Sequence, residues 1–170
     1  MSEDALVHIF DENSVKIGEI PRKDLADHHR WRIICVWIEN EKGETLLQQR
    51  SFQKKHGAGL WTVAVEGTVE NGDSFEETAR REIEEEIGLK EFTMTTAKRI
   101  SFKANTGWRE AQGYIVKCDW PINKFTPQVE EVEQLQWVDK KTVIREMKDN
   151  DPKYPKQAPI WLEMFELLEA

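Results

Sequence analysis

A chain of 170 residues, 39% hydrophobic and 33% charged, has the size and balance of one soluble globular domain. Its net charge of -8 argues against general nucleic-acid binding, which needs a basic surface. An acidic protein can still bind a phosphorylated substrate when a divalent cation bridges the two sets of negative charge.

Cys35 and Cys118 lie in apolar, β-branched surroundings and belong to no Cys-x-x-Cys or Cys/His cluster. Two reduced, buried thiols are expected. The N-terminal stretch MSEDALVHIF is acidic and lacks a basic region followed by a long apolar run. No run is long enough to span a bilayer, so the expected location is the cytoplasm, with no membrane partner.

In chain order, Leu6 to Asp11 and Val15 to Ile20 read as strands of a hairpin, about residues 5–20, turning at Asn13-Ser14. Pro21 to Asp27 reads as one or two helical turns. Arg32 to Glu39 is a β-branched, buried type of strand. It returns through Glu41-Lys42-Gly43 to a partner at Thr45 to Arg50. Ser51 to Gly59 is a polar loop, and Leu60 to Val65 alternates with Trp61, Val63 and Val65 on one face. Ser74 followed by Glu77 is a capping-box pattern. Phe75, Ala79, Ile83 and Ile87 then form a helical stripe that Gly88 ends. Strands are expected over Thr93 to Phe102, Glu110 to Cys118 and Glu133 to Val138. Helices are expected over Asp139 to Met147 and, at the end, about 160–168. This order predicts an α+β fold, a mixed sheet between helices, as a single domain over 1–170.

The chemistry concentrates in GTVENGDSFEETARREIEEEIGL, Gly67 to Leu89. Glu82, Glu85 and Glu86 stand at helical spacings that bring three carboxylates near one another. Like charges so placed repel, and a hard divalent cation such as Mg²⁺ or Mn²⁺ relieves the repulsion. Glu84 falls on a different face. Arg81, four residues before Glu85, can pair with it and hold its orientation. Gly67 lets backbone approach a metal or phosphate. Read alone, the charge run fits a solvated helix face equally well.

The complete spacing resembles the Nudix box: Gly67, five residues, Asp73, seven residues, Arg81-Glu82-Ile83, one residue, Glu85-Glu86, one residue, Gly88-Leu89. Asp73 stands where the family has Glu. Gly59-Leu60-Trp61 before the box, and Glu131-Val132 leading to Trp137-Val138, also resemble the family. The resemblance implies a mixed sheet sandwiched between helices and hydrolysis of a pyrophosphate bond in a nucleoside diphosphate derivative or similar organic diphosphate. It implies Mg²⁺, with Mn²⁺ as a substitute, held by Glu82, Glu85, Glu86 and the carbonyl of Gly67. Arg81 would orient the carboxylates, while Asp73 and Gly88 would support the motif through a weaker or water-mediated contact at Asp73. The general base would be Glu82 first and Glu131 second. Glu131 also fits a solvated acidic residue beside Glu130. A small-molecule diphosphate is the implied partner, and a homodimer is compatible with the family.

Arg50, Lys54 and Lys55 precede the box and could contact phosphate, or be solvated loop cations. His56 is a loop histidine with no assigned role. His28 and His29 should diverge if the chain is extended there. Trp37, Trp61 and Trp137 fit the core. Trp31, Trp108 and Trp120 lie near strand ends, where a ring either packs or stacks on a base. The stretch LLQQR-SFQKKHGAGLW resembles the branch holding isopentenyl diphosphate isomerase, but Glu66 stands where that class needs cysteine. Glu66 is either an additional ligand or a solvent-facing carboxylate. Isomerisation, and a binding module without turnover, remain the two alternatives to hydrolysis.

Overall fold

A computed structural model of the protein describes residues 4–168. The chain forms β1 (Leu6–Phe10), β2 (Lys16–Pro21), β3 (Arg30–Glu39), β4 (Glu44–Arg50), β5 (Trp61–Val63) and β6 (Val65–Thr68). Helix α1 (Phe75–Ile87) follows, then β7 (Met94–Lys103), β8 (Trp108–Lys117), β9 (Val132–Asp139), α2 (Lys140–Lys148) and α3 (Ala158–Met164). β1 and β2 make a separate antiparallel hairpin, and the other seven strands form one sheet. Its central order is β5-β4-β3-β8-β7, with β6 also on β3 and β9 also on β4. β3 and β8 run parallel and the remaining pairs antiparallel, so the sheet is mixed, as expected.

The alternation of β3 sets the layers. Ile34, Val36 and Ile38 face α1 and pack with Ala79, Ile83 and Ile87. Cys35 and Trp37 face the other way and pack with Val143, Met147, Trp161 and Leu162 of α2 and α3. α1 begins as its sequence predicts. Glu77 N–H donates to Ser74 Oγ at 3.2 Å, and Ser74 N–H donates to Glu77 Oε2 at 2.8 Å. It ends on Gly88 at φ 74°, a left-handed turn that suits glycine.

Three expectations need correction. Leu60 to Val65 is two strands, because the chain bends at Ala64 and changes partner from β4 to β3. Val63 therefore joins the α2–α3 layer while Val65 joins the α1 layer. The helical segment after Pro21 is a single 3-10 turn, Arg22–Asp24. The last helix starts at Ala158, since Pro159 is tolerated in a first turn, and stops at Met164, before Glu166 adopts φ 57°. Both cysteines are buried and free. Among the described residues no helix is long and apolar enough to cross a membrane.

The architecture leaves an opening on one side of β3. β4 pairs with β3 only at Glu39↔Thr45, and β6 takes the same edge from Val36↔Val65 to Ile33↔Thr68. The ends of β4 and β6 line a cavity against α1, to which the turn after β2 also contributes.

Candidate active site

One wall of this cavity is acidic and comes from α1. Glu82, Glu85 and Glu86 all line it, with Gly67 of β6 beside them. Glu82 and Glu86, one turn apart, are buried at 4% and 5% exposure, whereas Glu85 is exposed. Arg22, Arg50 and Lys54 line the same cavity. Glu66, Gln128 and Glu131 complete the lining.

Burial raises the carboxyl of Glu86 to a pKa of about 8, and the charges of Glu82 and Glu131 push the same way. Burial likewise raises Glu82 to about 7; Arg81 opposes this and Glu85 adds to it. With its amide nitrogen turned toward the helix, Gln48 donates to Glu86 Oε2 at 3.3 Å and to the Ala64 carbonyl at 2.5 Å. The two buried carboxylates are thus crowded, and burial and mutual repulsion outweigh the nearby arginines. Hard oxygen donors in that state suit a hard divalent cation. Among the described residues no three His, Cys, Asp or Glu side chains form a ready-made cage. A cation that keeps several of its waters, as Mg²⁺ does, fits such a partial set.

Arg81 departs from expectation. It pairs with Asp73 and, at 3.5 Å, with Glu82 Oε1, instead of with Glu85. Asp73 lies in the loop before the helix and reaches the guanidinium directly, so its shorter side chain needs no bridging water. Arg81 therefore steadies Glu82 and ties the loop to the helix.

Gly67 owes its place to a close approach. A Cβ there would lie 2.6 Å from Glu82 Cγ. Gly67→Ala is expected to push Glu82 off its position and weaken Mg²⁺ binding by at least about tenfold, measured by isothermal titration. Unchanged affinity would mean that the placement of Glu82 does not matter to the cation.

The other sequence candidates fall into place unevenly. Arg50 and Lys54 line the cavity, and Lys55 does not. Lys54 Nζ lies 2.5 Å from Glu131 Oε2, so Glu131 faces the cavity and is no solvated loop acid. Glu66 does not face bulk solvent either. It is half-buried, accepts from Cys35 Sγ at 3.6 Å and interacts with the Trp161 indole, and burial raises its pKa. His56 is exposed, and its carbonyl accepts from Arg50 Nε at 3.4 Å. His28 and His29 sit in a turn, so their rings come within 4.0 Å instead of diverging. Trp31 is buried beneath Arg109, Trp108 stacks on Arg30, and Trp120 packs on Phe125; none of the three lines the cavity. Sequence reasoning missed Arg22, Gln48 and Gln128. Gln48 carried a partial signal, a polar residue following Leu46-Leu47 on a strand, and the other two carried none.

The chain belongs to the Nudix family: the model of the NUDIX domain matches residues 28–159. It is similar to an uncharacterised Nudix hydrolase of Listeria monocytogenes, at 28% identity over 134 residues, 78% of each chain. It is also similar to an isopentenyl-diphosphate Delta-isomerase of Klebsiella pneumoniae, at 30% identity over 111 residues, 64% of this chain and 60% of that one. Its fold matches a crystal structure of a Deinococcus radiodurans protein with a TM-score of 0.78 and 18% identity, over 94% of this chain and 99% of that one.

Proposed function

We propose that the protein is a metal-dependent pyrophosphohydrolase acting on a nucleoside diphosphate derivative or a similar organic diphosphate. One observation carries this reading: a single cavity is lined both by the carboxylates of α1 and by Arg22, Arg50 and Lys54. An anionic substrate meets the basic residues directly, and meets the acidic ones only through a cation.

Glu82, Glu85 and Glu86, with the Gly67 carbonyl, would hold Mg²⁺ or Mn²⁺. When bound, such a cation neutralises phosphate charge and acidifies water. Arg50 and Lys54, in the same cavity, bind the phosphate oxygens and orient the phosphorus for attack. Arg81 keeps Glu82 in position. The proton leaving the attacking water goes to Glu82 or Glu131. The geometry favours Glu131, which enters from the loop before β9 and is not needed as a ligand. Lys54, 2.5 Å from it, then stabilises whichever neighbour carries the negative charge.

The isomerase reading rests on the likeness to the Klebsiella enzyme, and Glu66 at the required cysteine position counts against it. A panel of nucleoside diphosphate sugars, dinucleotides, coenzyme A, nucleoside triphosphates and prenyl diphosphates distinguishes the readings, with products identified by mass spectrometry. Cleavage between two phosphorus atoms is expected. Isomerised prenyl diphosphate, or no product from any member, would overturn the hydrolase reading.

A further inference from the structure

Glu66 lines the cavity, yet neither the cation nor the attacking water calls on it. Alternation along β6 decides which way its side chain leaves the sheet. Val65 packs in the α1 layer, and a Cβ on Gly67 would meet Glu82 of α1. Glu66, between them, points to the opposite face. Its register partner on β3 is Cys35, which belongs to the α2–α3 layer together with Trp161. The sheet therefore separates the Glu66 carboxylate from Glu82 and Glu86, which places it badly as a further ligand of a cation they share. The cavity reaches it all the same, since Glu66 and Gly67 both belong to the lining.

The carboxylate is anchored from behind and open in front. Cys35 Sγ, 3.6 Å away, donates to Oε1, and the Trp161 indole hydrogen-bonds the same side chain. Cys35 and Trp161 are 0% and 1% exposed, whereas Glu66 is only half-buried. An ionised carboxylate has about four acceptor sites, so these neutral donors leave about half of them unfilled. Among the described residues no Lys, Arg or His forms a salt bridge with Glu66. The chemistry of the missing donor is narrow. A further phosphate or a carboxylate would be repelled. An ammonium would meet Arg22, Arg50 and Lys54, which line the same cavity. An apolar chain would leave the open acceptor sites unpaired. A neutral hydroxyl donates to the carboxylate and meets none of these penalties.

Building on the hydrolase reading above, we propose that Glu66 accepts a hydrogen bond from a hydroxyl on the group attached to the diphosphate, and so selects a sugar or ribose there over a prenyl or other unhydroxylated group. Substrates that differ by one hydroxyl test this: UDP-glucose against UDP-2-deoxyglucose, and ATP against its 2′-deoxy and 3′-deoxy forms. Isopentenyl diphosphate, with no hydroxyl, is the limiting case. The readout is the ratio of kcat/KM within each pair, so a partly unfolded variant does not distort it. Dissociation constants with Ca²⁺ in place of Mg²⁺ give the same ratio without turnover. The wild type is expected to favour the hydroxylated member of at least one pair by about tenfold or more, through KM. Glu66→Ala should bring that ratio near one. Glu66→Gln keeps an acceptor for Cys35 and Trp161, and should lower the ratio by about threefold or more, because a neutral acceptor is weaker. The pair that responds tells a glycosyl hydroxyl from a ribose hydroxyl. Ratios near one in the wild type, or the wild-type ratio retained by both variants, would overturn the selection by Glu66 alone. So would cleavage of isopentenyl diphosphate as efficient as that of the hydroxylated substrates. Failure of the wild type to bind or cleave any of these compounds would overturn the hydrolase reading and the selection with it.

Discussion

Glu86→Gln is expected to stabilise the metal-free protein while abolishing its activity. Glu86 is 5% exposed, and burial is the main reason its pKa stands at about 8. At pH 8 or above the wild type must hold much of that charge in the interior, close to Glu82 and Glu131. Glutamine has the same shape and no charge. It keeps an oxygen for the Gln48 amide, which lies 3.3 Å from Glu86 Oε2. Replacing a buried, repelled charge by a neutral isostere should raise stability by about 1–3 kcal/mol. For a chain of this length each kcal/mol is about 2–4 °C in midpoint. Turnover should fall by more than about a hundredfold, because even the partners of metal ligands are worth about 10- to 100-fold. Thermal unfolding in EDTA and a steady-state assay in Mg²⁺ check the two halves. A variant less stable than wild type in EDTA would mean that Glu86 is held by structural partners and needs no cation.

The pH dependence of stability should flatten when Mg²⁺ is added. Glu82 at about 7 and Glu86 at about 8 both stand above the ordinary 4.5. Between pH 4.5 and 8 the folded chain therefore binds more protons at these two groups than the unfolded chain does. Their contribution to stability is fully present below about pH 4.5 and is lost as pH rises through the folded values. Mg²⁺ binds only the ionised carboxylates, so its stabilising effect grows over the same window. The midpoint in EDTA should drop by about 5 °C or more from pH 5 to pH 8. Saturating Mg²⁺ should recover that loss at pH 8 and change little at pH 5. Equal Mg²⁺ shifts at both values would place the cation somewhere other than Glu82 and Glu86.

What was legible in the sequence was local. α1 could be read end to end because Ser74, Glu77, the apolar stripe and Gly88 each encode a boundary or a face within a few residues. The three-carboxylate spacing was equally plain, but not the difference within it. Glu82 and Glu86 turn toward the sheet and Glu85 toward solvent, since helical steps carry Glu85 to the far side of the stripe. Arg81 was misread because Glu85 is a near neighbour by helical arithmetic, while Asp73 comes from a loop whose path the sequence does not state. The break at Ala64 was hidden because Trp61, Val63 and Val65 alternate as one strand would. Only the change of partner from β4 to β3 divides them. Arg22 reaches the cavity through the packing of distant segments, and nothing beside it in the sequence marks it.

The most direct measurement is product release from an organic diphosphate found in the panel, in Mg²⁺ and then in excess EDTA, for wild type and Glu85→Gln side by side. Glu85 lines the cavity yet is exposed, so this substitution leaves the packed interior untouched. Cleavage that needs Mg²⁺ and falls by about a hundredfold or more in Glu85→Gln, at an unchanged unfolding midpoint in EDTA, is the predicted result. Cleavage that persists in EDTA, or a variant as active as wild type, would contradict the account.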